Sequence, residues 1–132
     1  MKYFLDTNMC IYFLKGMYPV IVDKLLSLHP SDIKIPAIVQ AELLYGAEKS
    51  VRRDENLENI QHFLFPFEIV PFDSNAAFHY GIIRAALENR GTPIGPNDLY
   101  IAATVLSQNA MLVTNNTAEF KRVEGLAIEN WV

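Results

Sequence analysis

Tyr3-Phe4-Leu5-Asp6-Thr7-Asn8 is the stretch on which the fold turns. A short apolar run reads as a buried strand, and it ends abruptly at an acid. Thr7 to Leu14 follows with helical character and is closed by Gly16. A buried strand that runs straight into a helix is the opening of an α/β domain.

The alternation continues outward from there. Val20 to Leu28 reads as a short helix ended before Pro30, and Ile33-Lys34-Ile35 as a strand stopped by Pro36. Ile38 to Lys49 reads as helix, and the polar run Lys49 to Asn56 as a loop between helices. Leu57, Ile60 and Leu64 fall at i, i+3, i+7, the spacing of an amphipathic helix. Glu68 to Phe72 is the next expected strand, and Asp73 or Ser74 can cap the helix after it. That helix carries the stripe Ala76, Tyr80, Ile83, Leu87, with Arg84 and Glu88 paired on its outer face.

Thr92-Pro93-Ile94-Gly95-Pro96 is a heavily punctuated loop, and Pro96 suits a first helical position. Leu99, Ala102, Ala103 and Leu106 form the stripe of the helix behind it. Met111 to Thr114 is a second buried strand, a short polar turn carries Glu119 and Phe120, and Leu126 to Trp131 offers a final strand. The expected architecture is a three-layer α/β/α sandwich with a mostly parallel central sheet. Ligands in such folds sit at the carboxyl ends of the strands.

The 132 residues suit one domain spanning 1–132, and 51% hydrophobic against 20% charged residues exclude a disordered chain. The single Cys10 excludes an internal disulfide and fits a reducing cytosol. No apolar run approaches the ~20 residues of a membrane span, and Asp6 interrupts the N-terminus too early for a signal-peptide core. A cytoplasmic protein without membrane contact is expected. Fifteen acids face eleven bases, which argues against a binder that coats nucleic acid with positive charge. Set four acids aside for one site, however, and the remainder balances the Lys and Arg.

Four acids fall where structure alone does not require them. Asp6 stands directly after the first strand, where a helix N-cap is the plain alternative. Glu42 lies in Ile38-Val39-Gln40-Ala41-Glu42-Leu43-Leu44, where a buried carboxylate is costly unless paired or metal-bound and an exposed helix face is the plain alternative. Asp98 is about the third residue of its helix, a position the helix dipole also favours. Glu119 follows the strand 111–114 at a short remove. Gathered above one sheet edge, these carboxylates would repel one another without a cation. Hard oxygen ligands suit Mg²⁺ or Mn²⁺ and hence metal-assisted phosphodiester hydrolysis.

Leu5-Asp6-Thr7-Asn8, Glu42 with Leu43-Leu44-Tyr45-Gly46-Ala47, and Ile94-Gly95-Pro96-Asn97-Asp98-Leu99-Tyr100-Ile101-Ala102-Ala103 resemble motifs of the PIN-domain ribonucleases. Thr114-Asn115-Asn116-Thr117-Ala118-Glu119-Phe120 completes the set, so that the resemblance spans essentially the whole chain. It is most similar to the VapC toxins of type II (VapBC) toxin–antitoxin modules, in the enteric branch with Thr-Asn-Asn-Thr before the last acid. The resemblance implies a PIN fold and a catalytic, metal-holding set of Asp6, Glu42, Asp98 and Glu119. Asn8, Asn97, Thr114 and Asn116 would be their hydrogen-bonding neighbours, with local capping or turn bonding the alternative for each. The family often has Asp at the place of Asn116, so either Asn116 or Glu119 completes the site.

The implied activity is Mg²⁺-dependent cleavage of structured RNA by a metal-activated water, with Mn²⁺ able to substitute. A tRNA substrate is implied, and relatives of the enteric branch point to the anticodon stem-loop of initiator tRNA. Lys49, Arg52, Arg53 and Arg84 are the bases expected to hold it. A VapB-type antitoxin, a homodimer and a larger hetero-oligomer with the antitoxin are the implied assemblies. The stripe Ile11, Tyr12, Leu14 and the segment Phe63-Leu64-Phe65-Pro66-Phe67 supply apolar surface for core, dimer or antitoxin. Two readings compete. A phosphorelay receiver would have adjacent acids after the first strand and a Lys after the last, neither of which is present. A PIN scaffold that binds RNA or protein without cutting is the other, motivated by Asn116.

Overall fold

The computed structural model describes residues 1–132 and contains a five-stranded sheet, β1 (Tyr3–Leu5), β2 (Ile33–Pro36), β3 (Glu68–Val70), β4 (Met111–Val113) and β5 (Ala127–Glu129). The helices are α1 (Thr7–Lys15), α2 (Pro19–Ser27), α3 (Ala37–Glu48), α4 (Arg53–Leu64), α5 (Ser74–Asn89), α6 (Pro96–Ser107) and the single turn α7 (Thr117–Phe120), with a 3₁₀ turn at Pro30–Asp32. Every strand pair is parallel, in the order β3-β2-β1-β4-β5.

That order places the site. From β1 the chain winds outward through β2 to β3, then crosses back to β4 on the other side of β1. Right-handed crossovers therefore assign α1–α4 to one face and α5–α6 to the other. The reversal falls between β1 and β4, where Tyr3, Phe4 and Leu5 pair with Met111, Leu112 and Val113. A crevice opens at the carboxyl ends of such a pair. Phe4, Leu5, Leu112 and Val113 are fully buried, as strands covered on both faces must be.

Helix ends follow local chemistry. Gly16 closes α1 in the left-handed region (φ 63°), receiving the chain at no Cβ cost. Pro19 and Pro96 occupy first helical positions. The Asp73 side chain accepts from Ala76 N–H and caps α5.

Several expected boundaries move. The loop 49–56 is shorter, because α4 already begins at Arg53, braced by Glu48 and Asp54 and with Asp54 and Glu55 in its first turn. The strand at 68–72 ends at Val70, since Pro71 has no N–H to extend a ladder. Pro36 does not stop β2 but ends it within the sheet, paired with Val70. The last strand contracts to Ala127–Glu129.

Candidate active site

Asp6 lies at the crevice, 5% exposed, its backbone N–H bonded to the Val113 carbonyl across the β1–β4 seam. Its Oδ1 accepts from Met9 N–H at 2.9 Å, which is the N-cap of α1. Its Oδ2 accepts from Thr114 Oγ1 at 2.5 Å. Cap and site residue are thus one and the same. Thr114 is fully buried, and its Oγ1 also accepts from Asn116 N–H at 2.9 Å, so its single proton is committed to Asp6. Burial pushes the Asp6 carboxyl above its usual range, opposed by the Thr114 and Met9 bonds and aided by the charge of Glu42.

Glu42 flanks the buried stripe Val39, Leu43, Ala47 of α3 and is itself half-buried. Thr7 Oγ1 donates to its Oε1 at 2.9 Å. Thr7 was not among the residues expected at the site. Its only signal was membership of Asp-Thr-Asn.

Asp98, third residue of α6, stands beside Asn116 and Glu119 at the turn into α7. Asn116 Nδ2 donates to Glu119 Oε2 at 2.7 Å and reaches Asp98 Oδ2 at 3.5 Å. Asp98 is pushed up to about 7, first by burial, then by its hydrogen bond to Glu119 and the charges of Glu119, Asp6 and Glu42. Glu119 is held low by the Asn116 amide and by Asp98. Asp98 therefore holds its proton more tightly than Glu119 does. The four acids face one another electrostatically without closing into a group of three able to hold an ion as they stand. None has a Lys or Arg ion-pair partner.

The remaining expected neighbours divide. Thr114 and Asn116 touch the acids, whereas Asn8 and Asn97 are exposed and carry no side-chain hydrogen bond to them. Of the four bases, Arg53 is spent on Glu48 and Asp54, Arg84 on Glu88 and the Tyr80 hydroxyl, and Arg52 lies 3.7 Å from Glu55. Lys49 alone lacks a carboxylate, its Nζ resting 4.8 Å from the Tyr45 ring centroid.

A parallel sheet with an acid-lined rim at its reversal point is the architecture of the PIN domain, whose family pattern matches residues 3–126. The chain belongs to the PIN-domain family and, within it, to the VapC ribonucleases, the toxins of type II toxin–antitoxin modules. It is 41% identical over 131 residues to the tRNA(fMet)-specific endonuclease VapC of Salmonella typhimurium, covering 99% of this chain and 98% of that one. It is 42% identical over 132 residues to ribonuclease VapC2 of Rickettsia felis, covering 99% and 98%. Among solved structures, VapBC2 from Rickettsia felis bound to a promoter DNA fragment superposes with a TM-score of 0.94 at 41% identity, covering all of both chains. DNA-bound VapBC from Salmonella typhimurium gives the same score and identity, covering 100% of this chain and 99% of that one. No helix of the protein is long and apolar enough to cross a membrane.

Proposed function

We propose that residues 1–132 act as a single PIN domain in the cytoplasm and cut a tRNA, with Asp6, Glu42, Asp98 and Glu119 holding Mg²⁺. The observation that carries this reading is the acid rim at the β1–β4 reversal. Its carboxylates are served only by neutral donors, Thr7, Thr114, Asn116 and a backbone amide, and by no base. Hard oxygen donors lacking counter-charge fit a divalent cation. When bound, Mg²⁺ or Mn²⁺ supplies Lewis-acid polarisation of the phosphoryl oxygen and acidifies a bound water.

The chain's own part is orientation. Thr114 and the Met9 amide fix both oxygens of Asp6, and Thr7 fixes one oxygen of Glu42. Asp98 must release its proton before it can ligate, and Asn116 keeps Glu119 beside it as it does so. Initiator tRNA is the substrate that the Salmonella relative's name supports. Lys49 and Arg52 serve the RNA phosphates more readily than Arg53 and Arg84, which are already paired.

The assembly follows the solved VapBC relatives. A groove of about 870 Å³ between α1, α3 and α4, walled by Ile11, Phe13, Leu14, Leu43, Ile60 and Phe63, reaches Glu42 at its edge. It takes the apolar side of a VapB-type antitoxin, whose Arg would enter the acid rim. Phe78 and Ile82, one turn apart and exposed on α5, support a homodimer within a larger hetero-oligomer.

The test is incubation of total tRNA with wild type and with Asp98→Asn, each with Mg²⁺ and with EDTA. Wild type should cut only with Mg²⁺, and Asp98→Asn should be slower by ~10²-fold or more. Cutting that survives EDTA, or is equal in the variant, refutes the mechanism. No cutting of any RNA by wild type favours the scaffold reading.

A further inference from the structure

We infer that Tyr12 is a positioning residue for the acid rim, acting through Asn115. The inference rests on the nuclease reading above and adds a residue outside its metal-holding set.

Thr114, Asn115 and Asn116 are consecutive and lie between β4 and α7, in neither element. Each side chain of the three is tied to a different part of the molecule. Thr114 donates to Asp6, and Asn116 to Glu119. Asn115 Nδ2 donates to Tyr12 Oη at 3.2 Å, across 103 positions of sequence. Backbone bonds hold the two ends of the loop, Thr114 N–H to the Glu129 carbonyl at 2.9 Å and Phe120 N–H to the Asn116 carbonyl at 3.3 Å, and the Tyr12 contact is the side-chain tie at its middle residue.

Tyr12, by contrast, is anchored independently of Asn115. Its ring meets Tyr18 edge-on at 4.9 Å and 75°, and its carbonyl accepts from Met17 N–H at 3.0 Å in the turn closing α1. Tyr12 is therefore the fixed post and the loop the element it steadies. Releasing that tether lets the loop shift at the two residues that aim Asp6 and Glu119, and small misplacements of such groups cost rate.

The experiment compares wild type, Tyr12→Phe, Asn115→Ala and the double variant. It reads kcat and KM on tRNA, Tm, and Mn²⁺ affinity of the metal-free protein by calorimetry. Tyr12→Phe keeps the ring and its packing on Tyr18. Each single variant should lower kcat about five- to tenfold, the worth of one neutral hydrogen bond, with KM unchanged. Mn²⁺ affinity should fall by a similar factor, Tm should hold, and the double variant should be no worse than either single.

Unchanged kcat and Mn²⁺ affinity, or additive losses, overturn the tether. So does a rise in KM for Tyr12→Phe alone, which means the hydroxyl meets RNA directly. A fall in Tm with kcat restored on cooling also overturns it, as general destabilisation. Should wild type cut no RNA, the nuclease reading fails while the Mn²⁺ affinities still decide the tether. Should wild type bind no Mn²⁺, both fail.

Discussion

Two clusters of carboxylates on this molecule are built from the same residue types and kept in opposite company. At the α3–α4 turn, Glu48, Asp54 and Glu55 each meet an arginine, Arg53 or Arg52, and all five side chains are largely exposed. At the β1–β4 reversal, Asp6, Glu42, Asp98 and Glu119 meet hydroxyls, an amide, backbone N–H and one another, and are partly or wholly buried. The first cluster is neutralised within the chain. The second holds negative charge in reserve, at a cost visible in the raised Asp6 and Asp98 carboxyls. What separates a solvated ion pair from a functional carboxylate is its partners, more than its position along the chain.

The contrast breaks most sharply by swapping amide for acid on each side. Asp6→Asn keeps an oxygen for the Met9 cap but removes the charge and sets an NH2 against the Thr114 hydroxyl, so RNA cleavage should fall by ~10²-fold or more. Glu48→Gln at the other cluster should leave cleavage unchanged. Parallel single-turnover assays and melting curves measure both. Equal losses at the two clusters would erase the distinction.

A second effect is pH-dependent and smaller. An acid at about 7 in the folded state and 3.8 unfolded keeps a proton that the unfolded chain has released. Between those values the folded state binds more protons, so metal-free stability falls as pH rises through the window and levels off above it. Asp6, also raised, acts in the same sense. Glu119 is lowered, so its contribution is lost only as pH falls below the ordinary glutamate range. Melting curves of EDTA-treated protein from pH 4.5 to 8 should decline, and Asp98→Asn should flatten them. Mn²⁺ at a hundred times its Kd should restore about 2.7 kcal/mol near pH 8 and much less near pH 5. A flat profile for the metal-free wild type would show that the rim stores no charge.

The sheet and its acids were legible in sequence for physical reasons. Apolar triplets such as Tyr3-Phe4-Leu5 and Met111-Leu112-Val113 can hardly be anything but buried strands. An acid at the end of one, or just behind Gly95-Pro96, stands out because a cap alone explains it only in part. The boundaries were less legible. Lys49–Asn56 resembles a loop by composition, and the Arg53–Glu48 pair at the start of α4 is a contact, not a composition. The neutral partners were harder still. Thr7 to Glu42 spans 35 positions and Tyr12 to Asn115 spans 103, distances that only the assembled sheet closes. Asn8 and Asn97 share the motifs but stand exposed and without a side-chain bond to the acids, since sharing a motif does not decide what a side chain touches.

Thr114 sharpens the comparison through neutral donors. Thr114→Val keeps shape and burial but leaves the Asp6 Oδ2 and the Asn116 N–H without partners. Each buried group so stranded costs about 1–3 kcal/mol, and Tm should drop by several degrees. Thr114→Ser keeps both bonds and should lose far less. If Val and Ser behave alike in chemical denaturation, the hydroxyl is not what holds Asp6.

The smallest effect belongs to the paired cluster, and its smallness is the point. Arg53 meets two carboxylates at once, Nε to Glu48 Oε2 at 2.6 Å and Nη1 to Asp54 Oδ1 at 2.7 Å. Both hydrogen bonds raise the guanidinium above an already very high ordinary value, so its charge does not vary at any working pH. Yet every partner is half exposed or more, and water competes for each charge with nearly equal success. Arg53→Met should therefore leave Tm and cleavage of tRNA unchanged, with a slight loss in helix α4 visible only at low salt, where screening is weakest. A salt-independent drop in Tm would mean that the pair holds the α3–α4 turn after all. A drop in tRNA affinity without one would return Arg53 to the RNA-binding surface despite its partners.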